Sequence, residues 1–168
     1  MSTTGSLSGV IDLVPLRPDA PVETPLREVV AWLGDRLVGR TGDADPAVTG
    51  LTISSLRVQP GDLYVAPSGA RSHGATYAAR AVADGAVAVL TDPEGASLCT
   101  DAGAPVLVVD RPRAVVGDLA ARVYGRPAQR LRMIAVTGTQ GKTTTTRLAD
   151  AALGAAGVRS AVVGTVGT

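Results

Sequence analysis

Met133-Ile134-Ala135-Val136-Thr137-Gly138-Thr139-Gln140-Gly141-Lys142-Thr143-Thr144-Thr145-Thr146 is the stretch on which the reading of this chain turns. Residues 133–136 form a continuous apolar run, the pattern of a buried parallel strand, and residues 142–156 have helical character, with Gly157 placed as a C-terminal stop. Between them lies a Thr/Gly turn. Such a turn aims several backbone N–H groups at one point, where the helix N-terminus adds about half a positive charge, and this is what a nucleoside triphosphate tail requires. Gly138 and Gly141 let the main chain bend and come close to phosphate, Lys142 reaches the β- and γ-phosphoryl oxygens, and the Thr143 hydroxyl becomes a ligand for Mg²⁺. The candidate ATP site is therefore Thr137, Gly138, Thr139, Gln140, Gly141, Lys142 and Thr143, with Lys142 as the candidate catalytic residue and Thr143 as the candidate metal ligand.

Composition sharpens this reading. Fifteen of the sixteen basic residues are Arg, and Lys142 is the only lysine. A chain that otherwise uses guanidinium has a compact ammonium at the one position where a point charge suits a phosphate pocket better than a planar fork. Thr143 to Thr146 are weak helix formers, each costing up to ~0.7 kcal/mol relative to Ala, so a requirement other than propensity keeps them there.

Working outward, a further apolar run at residues 161–163 closes a βαβ unit. A lone βαβ unit cannot cover both faces of a parallel sheet, so the expectation is the front of a longer protein that does not turn over alone. Upstream, Gly125-Arg126-Pro127 breaks the pattern, which places a domain boundary near residues 126–130. Three parts result: an N-terminal extension over residues 1–23, a first domain over 24–126, and the start of a second over 127–168.

Within the first domain, Leu26, Val29, Val30, Leu33 and Leu37 follow helical spacing, with Thr24 as N-cap and Pro25 in the first turn. A Gly/Asp-rich break over 39–46 leads to strands at 48–53 and 63–66 joined by the tight turn Gln59-Pro60-Gly61-Asp62. A loop over 67–74, a helix over 75–83, a strand over 86–90, a polar stretch, a strand over 106–109 and a helix over 113–124 complete an α/β alternation.

The chain has 168 residues, 45% apolar and 18% charged, with a net charge of +1, which describes a globular protein without a polybasic field for nucleic acid or anionic lipid. One Trp, three Tyr and no Phe leave little for base stacking. No apolar run approaches the roughly 18 residues of a membrane span, and the opening residues lack a secretory pattern. The expectation is a cytoplasmic monomer acting on small molecules, with no nucleic-acid or membrane partner. The single cysteine, Cys99, cannot form an intrachain disulfide and is read as an incidental thiol. His73 is read as ordering its loop, with a nucleotide contact as the alternative, Asp62 as a turn residue, and Trp32 as packing against the sheet.

The spacing T-G-T-x-G-K-T-T resembles the ATP loop of the Mur ligase family, the amide-forming enzymes of peptidoglycan precursor synthesis and their folylpolyglutamate relatives. The resemblance continues upstream through Ser54-Ser55-Leu56-Arg57-Val58-Gln59-Pro60-Gly61-Asp62-Leu63-Tyr64-Val65-Ala66, Gly69, Ser72-His73-Gly74 and residues 81–90, and downstream through residues 162–167. It covers about residues 24–168. It implies an α/β uridine-nucleotide-binding domain followed by the first βαβ unit of a P-loop parallel-sheet ATP domain. The implied activity is ATP- and Mg²⁺-dependent addition of the third amino acid, diaminopimelate or lysine, to UDP-N-acetylmuramoyl-L-alanyl-D-glutamate through an acyl phosphate. By position, it also implies that Ile53, Ser55, Ala70, Arg71 and Ser72 hold the uridine-nucleotide end. Two departures stand out: Leu56 lies between Ser54-Ser55 and Arg57 where the family often has Asp-Ser-Arg, and Gln140 replaces the more usual Asn or Ser. The alternatives are a non-catalytic UDP-sugar-binding module, or another ligase of the family such as the D-alanyl-D-alanine-adding or cyanophycin-type enzymes.

Overall fold

The computed structural model describes residues 17–164. It divides into two compact units, Met1–Gln129 and Arg130–Thr168, and each is described by itself.

The first unit is a five-stranded sheet in the order β2-β7-β6-β5-β4, covered by helices on both faces. Its strands are β2 (Leu37–Thr41), β4 (Gly50–Thr52), β5 (Asp62–Ala66), β6 (Ala88–Thr91) and β7 (Val106–Val109). β4 to β7 are mutually parallel, and β2 runs antiparallel to β7 at one edge. Strand alternation sorts the side chains between two cores. Leu63, Val65, Ala88, Leu90, Leu107 and Val109 face α1 (Leu26–Leu33) and α4 (Pro112–Val123). Tyr64, Ala66, Val89, Val106 and Val108 face the layer containing α2 (Ala78–Ala83) and α3 (Pro93–Leu98). Every residue of β5, β6 and β7 is buried, as expected of strands covered on both sides.

Several local expectations are corrected. Thr24 does not cap α1. Thr24–Pro25 forms a short strand, β1, antiparallel to β3 (Ala47–Val48), and the Leu26 amide donates to the Pro46 carbonyl at 3.0 Å. The cap comes instead from Asp45, whose Oδ1 accepts from the Arg27 amide at 2.7 Å. That hydrogen bond is the main reason the Asp45 carboxyl sits below its ordinary pKa. The helix ends at Leu33 because Gly34 turns the chain with φ +51°, and Leu37, assigned by spacing to the helix face, opens β2. Pairing with β7 outweighs the helical spacing there.

The expected strand over 48–53 is divided into β3 and β4, and β4 pairs in parallel with β5, with Gly50 opposite Asp62 and Thr52 opposite Tyr64. The polar stretch after β6 contains α3, entered by Asp92 as N-cap and Pro93 in the first turn. Arg17, in the expected extension, is anchored by a 2.7 Å ion pair to the buried Asp62. Asp62 also accepts from the Gln59 amide at 2.9 Å, so its role is to hold the turn.

In the second unit the turn and helix form. α5 (Lys142–Ala155) is closed by Gly157 at φ +74°, with the Val158 amide on the Leu153 carbonyl at 2.9 Å and the Gly157 amide on the Gly154 carbonyl at 3.0 Å. This is the paired hydrogen bonding of a Schellman ending. The stretches 133–136 and 161–163 are not assigned as strands. A strand is completed by a neighbour that accepts and donates along its length, and no ladder engages these stretches among the described residues. No helix among the described residues is long and apolar enough to cross a membrane.

Candidate functional site

The phosphate-type loop lies at the mouth of α5. Gly138 (φ +151°) and Gly141 (φ +75°) adopt backbone conformations that L side chains rarely take, which is why glycine is needed at both. A Cβ on Gly141 would meet nothing within 4 Å, so there the demand is conformational and not steric. Gly141 is the N-cap, so Lys142, Thr143 and Thr144 occupy the first turn, where amides have no partner within the helix. The first helical bond, from the Thr145 amide to the Gly141 carbonyl, is 2.9 Å.

The Lys142 ammonium folds back and donates to the Gly138 carbonyl, bridging the two ends of the turn. Thr146 Oγ1 donates to the carbonyls of Lys142 (3.1 Å) and Thr143 (3.0 Å), which ties one threonine of the run into the first turn. Residues 137–145 are exposed. The Thr143 hydroxyl makes no hydrogen bond to protein among the described residues and lies in the first turn of α5, where it is available to a cation held mainly by phosphate. Among the described residues no cluster of three His, Cys, Asp or Glu side chains supplies a metal cage. The residues present thus fit a Mg²⁺ that arrives with its nucleotide, since such an ion typically takes only one or two ligands from protein.

The other predicted residues gather at the C-terminal edge of the parallel strands in the first unit, the edge where open α/β sheets take ligands. Ile53 and Ser55 follow β4, and Ala70, Arg71 and Ser72 lie on the loop 67–74 that follows the neighbouring strand β5. Ile53 is exposed, as are Ala70, Arg71 and Ser72. The Tyr64 phenol donates to the Gly74 carbonyl at 3.0 Å, and burial is the chief cause that raises it above its ordinary pKa, with the nearby Ser55 side chain opposing the rise. The Ser72 and Tyr77 hydroxyls lie 3.3 Å apart. Arg71 makes no hydrogen bond or ion pair among the described residues.

Sequence reasoning missed the residues that support this loop. The Asp92 carboxylate meets His73 from the end of β6, and Arg113 Nη2 reaches the Ser68 carbonyl at 3.4 Å from the start of α4. Asp92-Pro93-Glu94 is a legible helix-start signal and could have revealed α3. Arg113 carries no local signal. Cys99 is buried, close to the Ala75 carbonyl, and burial raises its thiol pKa, in keeping with an unreactive side chain.

Comparison with known proteins places these features among relatives. The profile described as Mur ligase family, catalytic domain, matches residues 47–124. The UDP-N-acetylmuramoyl-L-alanyl-D-glutamate–2,6-diaminopimelate ligase of Streptomyces avermitilis is 49% identical over 139 residues, covering 83% of this chain and 27% of that protein. The UDP-N-acetylmuramyl-tripeptide synthetase of Leifsonia xyli is 44% identical over 151 residues, covering 89% of this chain and 29% of its own length. Among solved structures, a UDP-N-acetylmuramoyl-L-alanyl-D-glutamate–2,6-diaminopimelate ligase superposes with a TM-score of 0.58 at 28% identity, over 87% of this chain and 28% of that one. The chain thus spans less than a third of the length of these relatives.

Proposed function

We propose that the chain belongs to the Mur ligase family and is the part of a MurE-type ligase that holds the uridine end of a UDP-N-acetylmuramoyl dipeptide and the phosphates of ATP. In this reading residues 24–126 bind the nucleotide sugar, and residues 127–168 open the ATP domain. The whole reaction is the addition of diaminopimelate or lysine to the D-glutamyl carboxylate.

The observation that carries the proposal is the mouth of α5. The only lysine of the chain sits in the first turn of a 14-residue helix, behind a left-handed glycine and in front of exposed amides. Phosphoryl transfer asks for alignment and charge neutralisation more than for covalent help. The amides of the loop hold the β- and γ-phosphates through the partial positive charge of the helix end. Lys142 exchanges its contact with the Gly138 carbonyl for phosphoryl oxygens, so a charge already placed at the loop meets the charge that develops as the γ-phosphoryl moves to the substrate carboxylate. When bound, Mg²⁺ supplies further neutralisation, with Thr143 as its ligand from this segment. The resulting acyl phosphate is attacked by the incoming amine, giving the amide and inorganic phosphate.

At the other site, Arg71, unpaired among the described residues, and the hydroxyls of Ser55 and Ser72 offer donors to a diphosphate and a ribose, and Ile53 offers apolar surface to the base. The setting is cytoplasmic, and the protein is a monomer.

The MurE-type reading rests on sequence. A D-alanyl-D-alanine-adding ligase of Acinetobacter baumannii superposes equally well, with a TM-score of 0.58 at 27% identity, so the shared fold does not select the amino acid.

Lys142→Ala in a full-length ligase carrying this segment lowers kcat at least ~10²-fold, by analogy with loss of one transition-state donor. Steady-state phosphate release measures this. Turnover within a few-fold of the parent enzyme overturns the assignment.

A further inference from the structure

The loop that presents Ala70, Arg71 and Ser72 is closed at its neck. The Gly74 amide donates to the Pro67 carbonyl at 3.0 Å, and Ser68 and His73 form an antiparallel bridge. A Cβ on Gly74 would stand 2.9 Å from that carbonyl and 3.0 Å from Ala66 Cα, so the neck admits no side chain there. The neck leaves residues 69–72 as a projecting tip, and its orientation depends on what holds the stem.

His73 holds it. Nδ1 of the imidazole accepts from the Ala75 amide at 3.1 Å, so in the neutral ring the proton is on Nε2. Nε2 donates to Asp92 Oδ1 at 2.9 Å, and the same oxygen accepts from the Gly95 amide at 2.8 Å as the N-cap of α3. The His73 side chain is only 7% exposed. It packs so closely on α3 that a Cβ at Gly95 would lie 2.5 Å from its Cε1. One ring thus joins the stem of the loop after β5 to the first turn of the helix after β6, while Arg71, two residues away, is left without a protein partner among the described residues.

We propose that His73 is a positioning residue for nucleotide binding: its Nε2–H bond to Asp92 holds the 69–72 tip at the angle at which Arg71 and Ser72 engage the diphosphate of a uridine nucleotide. The inference rests on the reading of this loop as the uridine-nucleotide site. The same ring has two separable functions, since Nδ1 caps the 3₁₀ turn Gly74–Tyr77 and Nε2 latches to Asp92. His73→Asn keeps an acceptor near the Nδ1 position and has nothing at the Nε2 position. His73→Gln does the reverse.

The test titrates uridine 5′-diphosphate into the full chain by calorimetry and follows amide hydrogen exchange of the tip. His73→Asn weakens binding at least ~10-fold, the scale of a lost charge-assisted hydrogen bond, and speeds exchange at residues 69–72. His73→Gln keeps affinity within about 3-fold and speeds exchange at the 3₁₀ turn instead, an order of effects that general destabilisation does not produce. Asp92→Asn keeps the Gly95 cap but removes the carboxylate charge; it gives an intermediate loss and tests the same contact if His73→Asn does not fold. Parent-like affinity in His73→Asn overturns the proposal, as does parent-like tip exchange, and the same results in Asp92→Asn do so if it is the variant that folds. If the parent chain binds no uridine diphosphate, the nucleotide reading and the proposed role in binding both fail, while the exchange measurement separately decides whether Nε2 orders the tip.

Discussion

Gly95 shows at the scale of one residue how closely the layer beneath the loop 67–74 is packed. A Cβ there would fall 2.0 Å from Thr91 Oγ1, 2.5 Å from His73 Cε1 and 3.0 Å from Ala75 Cβ. Thr91 cannot simply rotate away, because its buried hydroxyl donates to the Ala66 carbonyl at 2.8 Å. Gly95→Ala therefore destabilises the first unit by about 1–3 kcal/mol, the usual cost of overpacking, and a urea denaturation midpoint measures it. Unchanged stability would show that the helix start slides freely over the sheet. Lys142 stands at the opposite extreme of legibility. Its singularity and its glycine neighbours are visible in the sequence, whereas the closeness of His73 to Gly95 is not, because the two residues lie on separate connections and meet only through packing.

At the scale of elements, α4 is joined to the far edge strand by one hydroxyl. Tyr124, at the end of α4, accepts the Leu51 amide of β4 at 3.0 Å. The Leu51 amide on this edge is thereby satisfied without another strand. Tyr124→Phe costs about 1 kcal/mol, read as a lower thermal midpoint, since the Leu51 amide loses its side-chain partner. A midpoint equal to the parent's would mean that water replaces the hydroxyl without loss. α4 and α1 also meet where the Arg122 guanidinium lies 5.5 Å from the centre of the Trp32 ring, so Trp32 packs on the core while its face carries a cation. Strands β5, β6 and β7 were legible because each is a short, largely apolar run. The start of α1 was misread because its cap, Asp45, lies 18 residues downstream of the amide it serves. β2 was missed because its pattern, Leu-Val-Gly-Arg-Thr, has no strong alternation, and only the partner β7 makes it a strand.

For the molecule as a whole, two buried acids shape stability at alkaline pH. Burial raises the Cys99 thiol, and chiefly burial raises the Tyr64 phenol, so both keep their protons to higher pH when folded than when unfolded. Unfolding then releases protons in that range. The stabilisation is complete below the unfolded pKa values and is lost as pH rises through them toward the folded ones, from about pH 8.5 for the thiol and about pH 10 for the phenol. The thermal midpoint should therefore fall progressively above about pH 8.5, and Cys99→Ala should flatten the first part of that fall. A midpoint that holds steady to about pH 10 in the parent contradicts the burial of the thiol, and the absence of any further fall above about pH 10 contradicts that of the phenol. The same burial makes Cys99 slow to alkylate in the native protein and fast in urea, which a thiol-reactive dye distinguishes.

What the sequence determined by itself is whatever depends on neighbours along the chain: the apolar runs of β5, β6 and β7, the glycine turn ahead of α5, its Lys142 and Thr143, and the glycine that ends the helix. Backbone sterics and the free amides of a helix mouth act over a few residues, so their signals are local. Only the tertiary structure decided which strands run parallel, that Asp45 caps α1, that Arg17 pairs with Asp62, and that His73 and Asp92 together hold the loop carrying Arg71. Those contacts join residues far apart in the chain, and their free energy comes from burial and geometry that exist only once the layers have closed on the sheet.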